Sequence, residues 1–120
     1  MPWEVEYTDE FEEWWNTLDE EEQVDVDAAV GLLEEKGPRL QYPYSSDIKG
    51  SKYGSMRELR IQHKGEPYRI FYAFDPRRKA ILLIGGKKSG DDRWYEKYVP
   101  LADKIFEEHL MTLEKEKGGE

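Results

Sequence analysis

The chain has 120 residues, contains no cysteine and carries a formal net charge of −9 at pH 7. This length predicts a single domain over residues 1–120, and the lack of cysteine excludes disulfides, thiolate metal sites and a cysteine nucleophile. No apolar run approaches the roughly 18 residues of a membrane span, and the N-terminus lacks the features of a signal peptide, so we expect a cytoplasmic protein without a membrane partner.

The first 36 residues predict one strand and two helices. Residues 3–7 alternate apolar and acidic side chains, which is the period of a half-buried strand. Thr8 is a suitable N-cap for a first helix, and Asp19 is one for a second helix that ends at Gly37-Pro38. The apolar stripe of the first helix contains Phe11, Trp14, Trp15 and Leu18.

The remainder of the chain predicts a loop, three strands and a final helix. Pro, Ser, Gly and Tyr dominate residues 39–55, so we expect a loop there. Strands are expected at 56–62, 67–75 and 80–86, and the helix has Pro100 in its first turn. The order β-α-α-β-β-β-α, with helices before and after a mainly antiparallel sheet, predicts an α+β fold.

Charge is divided unevenly along the chain. Residues 1–35 contain 14 acidic residues and neither Lys nor Arg, whereas residues 36–97 contain 15 Lys and Arg against 7 acidic residues. The negative total argues against a nucleic-acid partner, but a molecule with two oppositely charged faces can bind a polyanion with one of them. The alternative is that acidic helices merely solvate a domain whose sheet is basic.

Several cations fall near strand ends, where they could line an anionic site together with tyrosines such as Tyr95. Arg69 is the most informative, because an unpaired cation in so apolar a strand is costly and should meet a carboxylate or a ligand. Arg57 and Arg60 have opposite parity and should point to opposite faces, but the sequence does not fix which shares a face with Arg69. The other candidates are Lys49, Lys52, Lys87, Lys88 and Arg93.

Each candidate also has a purely structural interpretation. Arg60 can form an ion pair with Glu58, and Lys87-Lys88 can be a solvated turn. The two histidines, His63 and His109, lie far apart without metal-ligand spacing, so neither a metal site nor a histidine-pair nuclease is expected. The run Gly85-Gly-Lys-Lys88 lacks the spacing of a P-loop.

Several motifs together resemble the phage-derived, HigB-like branch of the RelE/ParE toxin superfamily. The resemblance covers roughly residues 3 to 113 and is carried by the runs Ile48-Lys-Gly-Ser-Lys-Tyr-Gly-Ser-Met-Arg-Glu-Leu-Arg60, Tyr68-Arg-Ile-Phe-Tyr72 and Leu82-Leu-Ile-Gly-Gly-Lys-Lys88, with Phe11-Glu-Glu-Trp14, Glu34–Leu40 and Ala102-Asp103. It implies a RelE-like fold in which an N-terminal helical hairpin packs on a curved antiparallel sheet. It also implies a cognate antitoxin as partner, in a possible hetero-oligomer, and the ribosome with its mRNA as the site of action.

The implied activity is that of ribosome-dependent mRNA endoribonucleases, in which a ribose 2′-hydroxyl attacks the adjacent phosphate. Arg69 matches the family arginine that holds the phosphate, Lys88 with Lys87 matches a basic pair that stabilises charge or acts as an acid, and Tyr95 matches a downstream tyrosine. Glu58 stands where cutting members often carry a lysine, which leaves the general base unassigned.

The resemblance assigns supporting roles to further cations and leaves two other activities open. Lys52 and Arg57 would contact the RNA backbone, and Arg93 would partly compensate for the acidic total; Lys49 and Arg60 complete the expected RNA-binding set. No cofactor is implied. The alternatives are a non-catalytic toxin relative that binds protein or nucleic acid, which would explain Glu58, and a ParE-like inhibitor of DNA gyrase.

Overall fold

The computed structural model describes residues 2–90 and 93–118, which form a five-stranded sheet with helices on both faces. The helices are α1 (Asp9–Trp15), α2 (Glu20–Lys36) and α3 (Trp94–Gly118), with a 3-10 turn at Gly37–Arg39. The strands are β1 (Val5–Tyr7), β2 (Ser45–Asp47), β3 (Arg57–His63), β4 (Glu66–Phe74) and β5 (Ala80–Lys87). The spatial order is β1-β5-β4-β3-β2, and only the β1–β5 pair is parallel. The predicted α+β fold with a mainly antiparallel sheet is confirmed.

The predicted strand order omits one strand, because residues 39–55 are not a continuous loop. Ser45–Asp47 forms the edge strand β2, which pairs antiparallel with β3. A Ser-Ser-Asp segment has no alternation of apolar residues, so nothing in its pattern indicates a strand. It is held instead by pairing and by the buried Ser45 hydroxyl, which lies 2.6 Å from the hydroxyl of Tyr72.

Helix α3 begins earlier than expected. It starts at Trp94, so Pro100 lies inside the helix rather than in its first turn. An internal proline removes one helical hydrogen bond and crowds the preceding turn. Trp94 and Val99 are buried in the core between α3 and the sheet. Their packing holds the helical turns that precede the proline.

The helical hairpin formed by α1 and α2 begins where its capping residues predict. The side chain of Thr8 accepts a hydrogen bond from the amide of Phe11. Asp19 and Glu22 form a reciprocal capping box, in which each side chain accepts from the other residue's amide at 2.8 Å. These caps satisfy amides that would otherwise lack partners at the start of each helix.

The sheet is covered on both faces, so β4 is buried throughout most of its length. Tyr68, Ile70 and Tyr72 pack beneath the helical hairpin. Phe71 and Ala73 point the other way, into the core beneath α3. The sheet therefore has a hairpin face and an α3 face, and a side chain's parity decides which of the two it reaches.

The glycine pair near the end of β5 gives two tryptophans close access to the sheet. A Cβ atom at Gly85 would lie 2.4 Å from the ring of Trp14 in α1, and one at Gly86 would lie 2.9 Å from the ring of Trp94 in α3. Both approaches require glycine, because no real side chain tolerates so short a contact. The Gly85-Gly86 pair, which lies in one of the motifs that resemble the toxin family, therefore also allows α1 and α3 to pack closely against β5.

Candidate functional site

A buried carboxylate, Glu58, is the centre of a polar cluster on the α3 face. Its Oε2 accepts hydrogen bonds from the hydroxyl of Ser46 at 2.7 Å and from Nη1 of Arg60 at 3.3 Å. Its Oε1 accepts one from the hydroxyl of Tyr95 at 2.6 Å and lies 3.7 Å from Nε of Arg69. Four strongly polar side chains thus converge on one carboxylate in a part of the sheet that is otherwise apolar.

Strand register brings this cluster together. Arg60 of β3 lies directly opposite Arg69 of β4, so both side chains emerge on the same face. Glu58 precedes Arg60 by two residues and shares that face as well. Tyr95 arrives from α3 because its neighbour Trp94 stacks on Phe71, with the ring centroids 5.5 Å apart.

Arg69 is almost fully enclosed, with a relative exposure of 5%. Its Nη1 donates to the carbonyl oxygen of Tyr68 at 3.0 Å, and Glu58 balances its charge. Its Nε, however, has no hydrogen-bond acceptor among the described residues. The expectation that Arg69 meets a carboxylate is confirmed, although its Nε is too far from that carboxylate for a hydrogen bond.

Tyr95 and Lys88 complete the cluster. Burial and the hydrogen bond to Glu58 raise the pKa of Tyr95 to about 12, so its hydroxyl stays protonated at neutral pH. The ammonium of Lys88 lies 5.1 Å from the centre of the Tyr95 ring, in a cation–π contact. The backbone fixes this lysine, because its amide donates to the carbonyl of Pro67 at 2.8 Å.

Two of the expected site residues lie on the opposite face from Arg69. Lys87 is paired with Tyr68 in the register, so it points to the hairpin face and does not join Lys88. Arg57 is paired with Tyr72 and also points to the hairpin face. There its side chain forms an ion pair with Asp47 and donates to Ser45 and to the carbonyl of Leu40.

The other three expected residues lie outside the cluster. Lys52 forms an exposed ion pair with Glu107 at 2.7 Å, and that partner is twelve residues, or about 18 Å of helix, beyond Tyr95. Lys49 is exposed in the loop before β3. Arg93 is exposed next to the start of α3 and contacts Glu96 at 3.1 Å. The structure thus brings together four of the nine expected residues: Arg60, Arg69, Lys88 and Tyr95.

Sequence reasoning missed the central role of Glu58 and the participation of Ser46, although a usable signal was present. The turn between β3 and β4 has only two residues, Lys64 and Gly65, both with positive φ. Such a two-residue turn fixes the register of a hairpin. Counting back from it places Arg60 opposite Arg69, and Glu58 two residues away on the same face.

Other sites in the described chain are less suited to an anionic ligand. A groove of about 390 Å³ lies between β1, α1 and α2, but its rim contains the carboxylates of Glu12, Asp27 and Glu34. Within residues 2–90 and 93–118 no group of three or more His, Asp or Glu side chains is arranged to hold a metal ion. No helix in that part of the chain is both long and apolar enough to cross a membrane.

Comparison with known proteins decides the family. The family model described as phage derived protein Gp49-like (DUF891) matches residues 13–107. The chain belongs to the Gp49-like family. This Gp49-like chain is 43% identical over 103 residues to a Mycobacterium tuberculosis protein named as toxin HigB2, covering 84% of this chain but only about half (51%) of that relative. It is also 40% identical over 109 residues to one named as toxin HigB3 of the same organism, covering 90% of this chain and 91% of that one.

Three solved RelE structures have a fold similar to that of this Gp49-like chain. A double arginine mutant of Escherichia coli toxin RelE in the free state matches with a TM-score of 0.57 and 14% identity, over 82% of this chain and 96% of that one. The toxin–antitoxin complex RelBE2 from M. tuberculosis matches at 0.54 and 16%, over 73% and 100%. An archaeal RelE–RelB complex from Pyrococcus horikoshii matches at 0.55 and 14%, over 76% and 100%. The chain therefore has a RelE-like fold, and the two sequence relatives described above are named as HigB toxins.

Proposed function

We propose that the chain cuts messenger RNA on the ribosome, as the toxin of a toxin–antitoxin pair. The observation that carries this proposal is the convergence of Arg69, Lys88 and Tyr95 around Glu58 on one face of the sheet. Cleavage by an internal 2′-hydroxyl needs cations at the phosphate and a path for one proton, and these residues supply both. The reaction takes place where ribosomes are, in the cytoplasm.

The incomplete hydrogen bonding of the Arg69 guanidinium supports a role in holding the scissile phosphate. Its buried Nε lacks an acceptor, and an unsatisfied buried donor costs roughly 1–3 kcal/mol in a folded protein. A phosphate oxygen that enters the cluster satisfies this donor and gains a charge-assisted hydrogen bond. Lys88, half-buried beside Tyr95, adds a second positive charge on the outer side.

The proton of the 2′-hydroxyl leaves through Tyr95 and Glu58. This pair therefore acts as the general base, and the lysine that cutting relatives often carry at the position of Glu58 is not needed. The 2′-oxygen bonds to phosphorus as its proton passes to the Tyr95 oxygen, while the phenolic proton moves to the carboxylate 2.6 Å away. The bond between phosphorus and the 5′-oxygen then breaks, and Lys88 gives the leaving oxygen a proton. The products are a 2′,3′-cyclic phosphate and a 5′-hydroxyl. The proton on Glu58 is then transferred through solvent to Lys88, which restores both groups for the next reaction.

An antitoxin is the partner of this activity. Two of the structural neighbours are complexes of a toxin with an antitoxin, RelBE2 and RelE–RelB. The present chain has the same fold and an acidic hairpin that is a poor surface for RNA, with no Lys or Arg in residues 1–35. The antitoxin binds this chain in a hetero-oligomer and blocks the cluster around Glu58.

One observation favours a second candidate, a toxin relative that binds its partners without cutting RNA. Glu58 neutralises Arg69 in the unbound protein, and both side chains are nearly inaccessible, with relative exposures of 4% and 6%. A phosphate must compete with that carboxylate for the guanidinium. In this alternative the ion pair is only structural, and the protein acts through its antitoxin on their shared operon.

Primer extension on mRNA from a reconstituted translation reaction separates the two candidates. We expect discrete cuts that require ribosomes, and at least about 100-fold slower cutting by Lys88→Ala and by Arg69→Ala. Lys64→Ala is the matched control, because this lysine is exposed in the β3–β4 turn and pairs only with surface residue Glu21 among the described contacts. If the wild-type protein produces no cuts and its antitoxin still binds, the nuclease proposal is wrong and the second candidate stands.

A further inference from the structure

Two exposed tyrosines lie on a well-anchored turn beside the candidate site. Tyr42 and Tyr44 have relative exposures of 71% and 53%, although tyrosine rings in a small domain usually find cover. The turn between them is held by amides of Tyr44 and Ser45, which both donate to the carbonyl of Gln41. Leu40 on one side and Ser45 on the other are buried. The exposed rings are therefore presented by a fixed segment.

This turn continues the row of side chains that forms the cluster. The amide of Arg60 donates to the carbonyl of Tyr44 at 2.9 Å, which extends the pairing of β2 with β3 by one residue. Arg60 in turn lies opposite Arg69. The guanidinium of Arg60 also lies over the ring of Tyr42, 5.0 Å from its centroid. The tyrosines, Arg60 and Arg69 thus follow one another across neighbouring strands, which are about 4.8 Å apart.

We propose that Tyr42 and Tyr44 form a stacking platform for an unpaired RNA base next to the phosphate held by Arg69. The inference rests on the proposed function and adds to it the part of the substrate that the turn recognises. An aromatic ring beside a guanidinium gives a base a flat apolar surface with a positive charge at its edge, the combination found in sites for single-stranded nucleic acid. Tyr42 already carries Arg60 on one side of its ring, so the base stacks on its other side.

The chemistry predicts which base is preferred and how much the platform contributes. Stacking on an aromatic side chain changes binding by roughly 5- to 150-fold per base. Purines offer a larger face than pyrimidines, so we expect a purine next to the cleaved bond. Neither tyrosine contacts the reacting phosphate, so their loss should raise KM and leave kcat nearly unchanged.

The test uses ribosomes that carry a short message with 2-aminopurine in or beside the decoding codon. The riboses of that codon are 2′-O-methylated, which prevents cutting, and the fluorescence of 2-aminopurine falls when the base stacks. We expect wild type and Tyr42→Phe to quench it, and Tyr42→Ala and Tyr44→Ala to bind at least about 5-fold more weakly with reduced quenching. Tyr7→Ala is the matched control, because Tyr7 is similarly exposed (58%) but lies on β1, at the opposite edge of the sheet.

Cutting of an unmodified message by the same variants separates this proposal from the nuclease proposal. Quenching by the wild type without any cutting supports the platform and refutes the nuclease. Cutting by Tyr42→Ala and Tyr44→Ala with an unchanged KM, or no quenching by the wild type at any position, refutes the platform. If the two alanine variants bind message normally but lose affinity for the purified antitoxin, the turn is a protein interface and the RNA proposal is wrong.

Discussion

Replacing Glu58 by glutamine tests how much the buried cluster depends on one negative charge. The change keeps the shape of the side chain and one carbonyl oxygen, but it leaves the guanidinium of Arg69 without its counter-charge. At 3.7 Å and an effective dielectric constant of about 20, the attraction between the two charges is about 4.5 kcal/mol. Breaking a buried ion pair typically costs about 3–5 kcal/mol, so we expect Glu58→Gln to lower the free energy of unfolding by that amount.

Urea unfolding, monitored by far-UV circular dichroism, measures this change. The chain also contains a matched control pair that is exposed instead of buried. Glu107 makes a shorter ion pair with Lys52, at 2.7 Å, but both side chains are about half exposed. Glu107→Gln should therefore leave the free energy of unfolding nearly unchanged, because solvent screens an exposed pair. If the two variants lose similar amounts of stability, burial does not determine the strength of the Glu58 pair, and the electrostatic reasoning fails.

A second substitution then shows whether the cost of Glu58→Gln comes from the uncompensated charge. Adding Arg69→Met removes the buried cation, so the double variant should recover much of the lost stability. If the changes that Glu58→Gln and Arg69→Met make in the free energy of unfolding are additive, the two side chains do not interact. In that case Glu58 would stabilise the protein through its other partners, Ser46, Arg60 and Tyr95.

Three further outcomes follow from the packing and the ionisable groups. Gly85→Ala should destabilise the fold by about 1–3 kcal/mol because its Cβ meets the Trp14 ring. Gly31→Ala, which has open space in α2, should stabilise the fold by about 0.5–1 kcal/mol. Urea unfolding measures both free energies, and a Gly85→Ala variant as stable as Gly31→Ala would contradict this reasoning. Burial and the hydrogen bond to Glu22 raise the pKa of Tyr68 from 10.0 to about 12, so its contribution to stability should be complete below pH 10 and be lost towards pH 12, and Tyr68→Phe should reduce that loss. Asp75→Asn should speed amide hydrogen exchange in the second half of α3, because that carboxylate accepts a hydrogen bond from His109 at 3.0 Å; unchanged exchange would show that the contact does not hold the helix.

Features set by neighbouring residues could be predicted from the sequence. Thr8 and Asp19 cap their helices as expected, since a cap depends on the identity of the cap and the next three residues. The opposite faces of Tyr68 and Phe71 on β4 can likewise be read from the sequence, because alternation is a property of one strand. The strand expected at 80–86 is present as β5, an interior strand covered on both faces.

Features that depend on pairing between strands were harder to predict. The partner of Arg69 follows from the register of β3 against β4, which parity alone leaves open. Lys87 and Lys88 are adjacent in sequence, but only Lys88 reaches the cluster, because Lys87 belongs to the last pair of the β4–β5 ladder and points away. Strand β2 has no apolar pattern of its own, so only its place beside β3 makes it a strand.

The glycine pair of β5 also places two tryptophans where their fluorescence can report the docking of two separate helices. Trp14 can rest on Gly85 only while α1 is docked on the hairpin face, and Trp94 can rest on Gly86 only while the start of α3 is docked on the other. The two indoles therefore monitor separate helices from opposite sides of the same strand. A variant that keeps Trp14 or Trp94 as its single tryptophan, with Trp3 and Trp15 also replaced, would show by its emission wavelength whether a bound partner loosens that helix, without any attached label.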